Sequence, residues 1–367
     1  MYIYYIIKFH KYKNKINESE IMENYFVERD YKNINKINDL LQDLPPFCLE
    51  FVRGIEQRTS VLTRLGYVSD IRLFLDYLTA NTVEFRGKNV KDLTIEDLSR
   101  VTQTHIEMFL SYLKIYKQDG KYVKNGECSI SRKLSSIRSM LKYFYNKNSI
   151  PSNVASKVQT PKLHEKPITR LEVDEVVKIL DRSEDGYDLS RMQQGFHKHT
   201  KERDYAILSL FLGTGIRISE CVGLNVEDID FSQNAFNVTR KGGNRVTLYF
   251  NQEVADALLN YLEVRNNIKD LPEDEHALFL SLQNKRMNVR TIEIVVKKYA
   301  QLINPLKHIT PHKLRSTFGT NLYRETNDIY VVASVLGHKD INVTRKHYAA
   351  TSDEIKRDAL TNSVKLR

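Results

Sequence analysis

The clearest pattern in the chain is an apolar stripe in CSISRKLSSIRSMLKYFYNK, where Ile130, Leu134, Ile137, Leu141 and Phe144 step by 4, 3, 4 and 3 residues. At 3.6 residues per turn these positions share one side of a helix, so the stretch predicts an amphipathic helix buried along one face. Two earlier segments repeat the pattern: Gln57 to Ala80 with Leu62, Leu65, Ile71, Leu75 and Leu78, and Thr104 to Tyr116 with Ile106, Phe109, Leu110 and Leu113. This region reads as an all-helical bundle. Arg132, Lys133, Arg138 and Lys142 lie off the stripe of the third helix. A solvated face accounts for them, and on a protein facing DNA they are also candidate phosphate contacts.

Between Pro151 and Pro167 the periodicity stops and prolines and lysines gather, Lys162 among them, as expected of an interdomain linker. Beyond it LEVDEVVKIL and RDYAILSLFLGT read as helices, with a polar stretch over 183–200 expected to be a flexible insertion. In AFNVTRKGGNRVTLYF, Phe236 and Val238 alternate before the Gly-Gly pair, and Val246, Leu248 and Phe250 alternate after it. Period 2 on both sides of a glycine pair predicts a β-hairpin, with Lys241 at its tip and Arg245 just beyond. Helical patterns follow over 251–268, 288–303, 311–325, 329–336 and about 353–362. The expected fold class is therefore mainly α with a small antiparallel β-sheet. The expected boundaries are a tail over 1–21, a helical domain over 22–150, a linker over 151–168 and a second, mixed domain over 169–367.

Length supports that division, since 367 residues suit two domains that each bury a core. Apolar residues make up 41% and charged residues 28%, ordinary for a globular chain. The opening MYIYYIIKFHKYKNK has its lysines after a short apolar run, the reverse of a secretory signal and too short for a membrane span. It reads as a disordered tail or an overlong start ahead of Met22. Cys48, Cys128 and Cys221 are scattered, which suggests neither a disulfide framework nor a cysteine zinc site and fits the cytoplasm. Lysine plus arginine exceed aspartate plus glutamate by 56 to 46, a formal charge of +10, so a polyanionic partner is expected.

Four pieces of the second domain carry candidate chemistry. In GTGIRISE, Arg217 opens a helix with Glu220 three residues on, where a carboxylate can orient a guanidinium. Lys241 sits in R-K-G-G. In TPHKLRSTFGTNL, Thr310 is a candidate N-cap and Pro311 fits the first helical position, which places His312 and Arg315 at the positive end of a helix. Last comes LGHKDINVTRKHYAAT, with His338 and Tyr348. Each piece alone has a bland reading. Together they supply two bidentate phosphate clamps, a general acid, two imidazoles and a phenol, enough to attack a phosphodiester with an oxygen nucleophile and no metal or other cofactor. A phenol of pKa about 10 needs a proton acceptor and a positive field, for which His312 and the arginines are candidates.

G-T-G-I-R-I-S-E, K-G-G, H-K-L-R and L-G-H with a following tyrosine, in this order behind a helical N-terminal region, closely resemble the tyrosine recombinases. The resemblance covers the chain from about Met22 onward and points to the Xer branch of that family. It implies a two-domain DNA clamp, a helical core-binding domain joined to a mixed α/β catalytic domain. In it Arg217 and Arg315 hold the scissile phosphate, Lys241 protonates the leaving 5′ oxygen, His312 and His338 assist proton handling, Glu220 supports Arg217, and Tyr348 forms a 3′-phosphotyrosyl link. It also implies a homotetramer on two duplexes with inverted-repeat sites, an exchange helix near the C-terminus, a nucleoid-associated location, chromosome dimer resolution and a DNA translocase as candidate partner. No membrane partner is expected. Two features depart from the family. Tyr348 follows His338 by ten residues where nine are usual, a shift of about 100° on a helix. Ser316 stands where relatives often carry a second histidine.

Mobile-element integration is the nearest competing role. A type IB topoisomerase shares the cleavage chemistry but would not exchange strands between two labelled sites. A non-catalytic DNA-binding protein would form no covalent adduct. A metal nuclease lacks its carboxylate cluster here.

Overall fold

The structure is a computed structural model that describes residues 18–118, 120–162, 164, 169–240, 245–269, 271, 272, 274–337 and 341, with backbone alone for 18–24. Lys241, His338, Tyr348 and the expected helix at 353–362 lie outside the described residues, as do 1–17 of the expected tail. The chain divides into one compact unit over Asn24–Lys166 and a second from Pro167 onward.

The first unit contains α1 (Glu18–Gln42), α2 (Pro46–Gly54), α3 (Val61–Asn81), α4 (Ile95–Ser99), α5 (Gln103–Tyr112) and α6 (Glu127–Asn146). α1 starts at Glu18, inside the stretch expected as a tail. Capping chemistry sets several starts: the Ser60 hydroxyl accepts from the Thr63 amide at α3, and Thr102 with His105 forms a capping box at α5. The predicted stripe of α6 is buried, with Ile130, Leu134, Ile137, Leu141 and Phe144 all in the core beside Phe51, Phe74 and Phe109. Residues 154–160 also belong to this unit. Ala155 and Val158 are buried in its core, and Arg138 donates to the carbonyls of Ala155 and Val158 and to the Thr160 hydroxyl.

The expectation of an all-helical first region needs one correction. α5 ends at Tyr112 and the chain turns into an antiparallel hairpin, β1 (Ile115–Gln118) with β2 (Lys121–Lys124). Gly120 takes φ +76 between the strands, a value few other residues adopt cheaply. Tyr116 then packs its ring on Tyr112 from a strand instead of from another helical turn.

The second unit is built on α9 (Lys201–Thr214), whose Ala206, Ile207, Leu208, Leu210 and Phe211 are all buried. Around it pack α7 (Val173–Asp185), α11 (Gln252–Asn266), α12 (Val289–Ile303) and α13 (Pro311–Thr326). A helix apolar on nearly every side belongs at the centre. After α9 come α10 (Ile218–Gly223) and the antiparallel sheet β3 (Ile229–Asp230), β4 (Ala235–Thr239) and β5 (Arg245–Tyr249). Phe236 faces Leu248 and Val238 faces Val246, the register expected of the hairpin. α14 (Ile329–Leu336) follows α13.

The stretch 183–200 is not an unstructured insertion. It contains α8 (Arg191–His197), opened by a Ser190–Gln193 capping box. The His197 ring is buried 3.1 Å from the Tyr299 hydroxyl, which donates to Asp204 at 3.0 Å. Burial lowers the pKa of His197 and so favours its neutral form. Asp204, fully buried, is matched by Lys298 at 2.7 Å and Arg203 at 2.8 Å. A buried carboxylate survives only with such partners.

Candidate active site

α9 ends at Gly215, whose φ of +61 makes a left-handed C-cap. The reversal carries Arg217 to the N-cap of α10, where Glu220 closes a capping box. Glu220 accepts from the Arg217 amide at 3.0 Å and from its guanidinium at 2.8 Å, with the carboxylate side chain only 4% exposed. Thus one acid both starts the helix and orients the arginine. Arg217 stays about one-third exposed, and its other nitrogen donates to the carbonyls of Leu336 at 3.3 Å and Gly337 at 3.2 Å.

Arg315 arrives from α13. Pro311 occupies the first turn as expected, although the Thr310 hydroxyl makes no capping bond. The Arg315 side chain is buried and donates to the carbonyls of Gly215 and Leu336. Leu336, the last residue of α14, therefore receives both guanidiniums on a single carbonyl oxygen. Helix C-terminal carbonyls have no intrahelical donors and form the negative end of the dipole, which explains why cations settle there.

A third guanidinium shares this place, and the sequence reading overlooked it. Arg240 donates to the Val335 carbonyl at 3.2 Å, and its Nε lies 3.7 Å from the same Glu220 oxygen that holds Arg217. A signal for it existed in the alternation of β4. Phe236, Val238 and Arg240 are two apart, so an inward strand face leads directly to an inward arginine.

Of the other expected site residues, His312 is exposed on the first turn of α13, while Arg315, three residues on, points inward. Ser316 is buried and its hydroxyl bonds back to the His312 carbonyl, so the place of a second imidazole is filled by a helix contact. Lys142, Lys162 and Arg245 are exposed. Arg132 is half exposed and forms a bidentate pair with buried Asp70, at 2.5 and 2.8 Å, joining α6 to α3. Two residues differ from the expected outward role. Lys133 is buried and bonded to Ser129 and Asn125, because the helical turn aims its stem back over α6, and Arg138 is occupied by the 155–160 backbone. Burial lowers the Lys133 pKa.

The fold is that of the tyrosine recombinases. The structure matches the XerH site-specific recombinase bound to a palindromic difH substrate with a TM-score of 0.63 at 17% identity, over 89% of this chain and 88% of that one. It matches a lambda integrase dimer bound to a core site with a TM-score of 0.57 at 16% identity, over 84% and 79%. The chain belongs to the phage integrase family, whose signature it matches over residues 169–354. Among curated relatives, tyrosine recombinase XerS of Streptococcus thermophilus is 31% identical over 354 residues, covering 90% of this chain and 98% of the relative. Tyrosine recombinase XerC of Caldanaerobacter subterraneus is 30% identical, with 87% of each covered. No described helix is long and apolar enough to cross a membrane.

Proposed function

We propose that the chain is a site-specific recombinase of the Xer type that cuts and rejoins double-stranded DNA through Tyr348. The Tyr348 oxygen attacks phosphorus and forms a 3′-phosphotyrosyl bond as the bond to the 5′ oxygen breaks. That oxygen leaves with a proton from Lys241. A 5′ hydroxyl of a partner strand then reverses the steps and frees the tyrosine. The phosphodiester's free energy stays in the covalent link, so rejoining consumes no nucleotide. Arg217 and Arg315 hold the equatorial oxygens as negative charge grows on them, where paired guanidinium donors act most strongly. His312 and His338 handle protons. Lys142, Lys162 and Arg245 serve phosphates away from the cleaved bond.

The observation that carries this reading is the meeting of Arg217 and Arg315 on the Leu336 carbonyl, beside the turn that leads to His338 in the sequence. Two distant segments thereby each place a planar cation one hydrogen bond from the same carbonyl oxygen. The Xer names of the curated relatives support the Xer branch, and within it we take the role as chromosome dimer resolution by a homotetramer on two inverted-repeat sites, in preference to mobile-element integration. The test is exchange between two differently labelled duplexes carrying a site recovered by sequencing genomic DNA trapped on the protein. Hybrid products are expected, also in chelator; covalent adduct without hybrids would indicate a topoisomerase.

A further inference from the structure

We infer that Arg240 is a positioning residue for this reaction, tying the end of β4 to the last turn of α14 through the carboxylate that also orients Arg217. The inference rests on the proposed role of Arg217 and Arg315 as the phosphate clamp.

The argument begins with an imperfect burial. The Arg240 side chain is only 13% exposed, and its Nε is buried without a hydrogen-bond partner. Its nearest carboxylate, Glu220, is at 3.7 Å and is engaged more closely by Arg217 at 2.8 Å. Burial lowers the Arg240 pKa, with Glu220 opposing that shift and Arg217 adding to it. Packing alone would be served as well or better by an apolar side chain of similar length, since a buried, incompletely paired ion is a weak source of stability. An incompletely satisfied buried cation calls for another reason to be there.

Location supplies one. Arg240 precedes Lys241 in the sequence, and the carbonyl it binds, Val335, precedes Leu336 and Gly337, which Arg217 and Arg315 bind. Consecutive carbonyls of one helix end are thus held by three guanidiniums. Gly337 adopts φ +62, and a Cβ there would collide with the Arg240 guanidinium. The backbone angle makes a side chain there strained, and a Cβ would also force the Arg240 guanidinium to move. Among the described residues, Arg217 and Arg240 both approach the carboxylate of Glu220, two guanidiniums to one acid in a largely buried place. Arg240 therefore adds field at the clamp without touching the phosphate, and fixes how far Glu220 pulls on Arg217.

Arg240→Met and Arg240→Lys separate this role from simple packing. Three quantities are read: the single-turnover rate of covalent adduct formation on a nicked suicide duplex, affinity for that duplex, and Tm. Arg240→Met should form adduct at least about 30-fold more slowly, with affinity within about threefold and Tm lowered by no more than a few degrees, since the Val335 carbonyl loses its donor. Arg240→Lys keeps the charge and loses the fork, and should recover part of the rate. Unchanged adduct formation in Arg240→Met overturns the inference, as does a loss of rate that only parallels losses of affinity and Tm. Should Arg240→Met fail to fold, Arg240→Lys decides alone: a slowed rate at unchanged affinity supports the role, a normal rate overturns it. No adduct with the unaltered chain removes the recombination reading itself, a result distinct from a normal unaltered chain with a normal Arg240→Met.

Discussion

Arg315 holds two backbone carbonyls, that of Gly215 and that of Leu336, the second shared with Arg217. Replacing it with alanine should therefore cost stability, about 1–3 kcal/mol with the Gly215 carbonyl losing its guanidinium donor, as well as chemistry. Arg217 is more exposed and keeps contact with water, so Arg217→Ala should be milder on Tm. On a suicide duplex both variants should lose adduct formation by roughly 10²–10³-fold, with much smaller losses of affinity, because their value lies in charge that develops during attack. Measuring binding and cleavage on one substrate checks this; equal losses in both would reduce the arginines to binding residues. The pairing of Arg217 with Glu220 was legible in their three-residue spacing, whereas no local pattern showed that Arg315 would meet Arg217 on one carbonyl; that expectation came from the resemblance of the ordered motifs. Arg240 was masked by the more conspicuous Lys241 beside it, although its place on the inward face of β4 was open to reading.

Among the elements, the short turn after α10 carries its own titration. Asp228 accepts from the Asn225 amide at 2.8 Å, and burial pushes its carboxyl up to about 6 despite that bond and nearby arginines. A folded pKa above the unfolded value of about 3.9 means that the group favours folding when protonated, and that this contribution is lost as pH rises through about 6. Asp228→Asn keeps an oxygen for the Asn225 amide and removes the charge. It should raise stability on the order of 1 kcal/mol at pH 8 and by little at pH 4.5, read as Tm at the two pH values. A gain independent of pH would contradict the assignment. The helices with strong apolar periodicity, α6 above all, could be read directly because one packed face dictates their spacing. α8 could not: its seven residues are too few to show a period, and it is held in place by the non-local His197–Tyr299–Asp204 chain. His197→Ala should accordingly lower stability by about 1–3 kcal/mol in denaturant unfolding, with Tyr299 losing a buried partner. The β1–β2 hairpin was hidden for the opposite reason, since a helical pattern through Leu113 runs straight into it before Gly120 turns the chain.

For the whole molecule, the core of the first unit, among the described residues, draws on Ile37 to Val158, including the segment that Arg138 fastens to it. Residues 24–166 expressed alone should give a cooperatively unfolding helical domain; a non-cooperative melt would show that the core needs more of the chain. The chain's net charge of +10 predicts DNA binding whose log affinity falls linearly with log salt. The catalytic claim is tested most directly by trapping. A nicked suicide duplex carrying the recovered site is incubated with the unaltered chain and with Tyr348→Phe, denatured, and resolved for protein-linked DNA. The account predicts a covalent adduct with the unaltered chain and none with Tyr348→Phe, at equal DNA affinity. An undiminished adduct in Tyr348→Phe, or none from either protein, contradicts it.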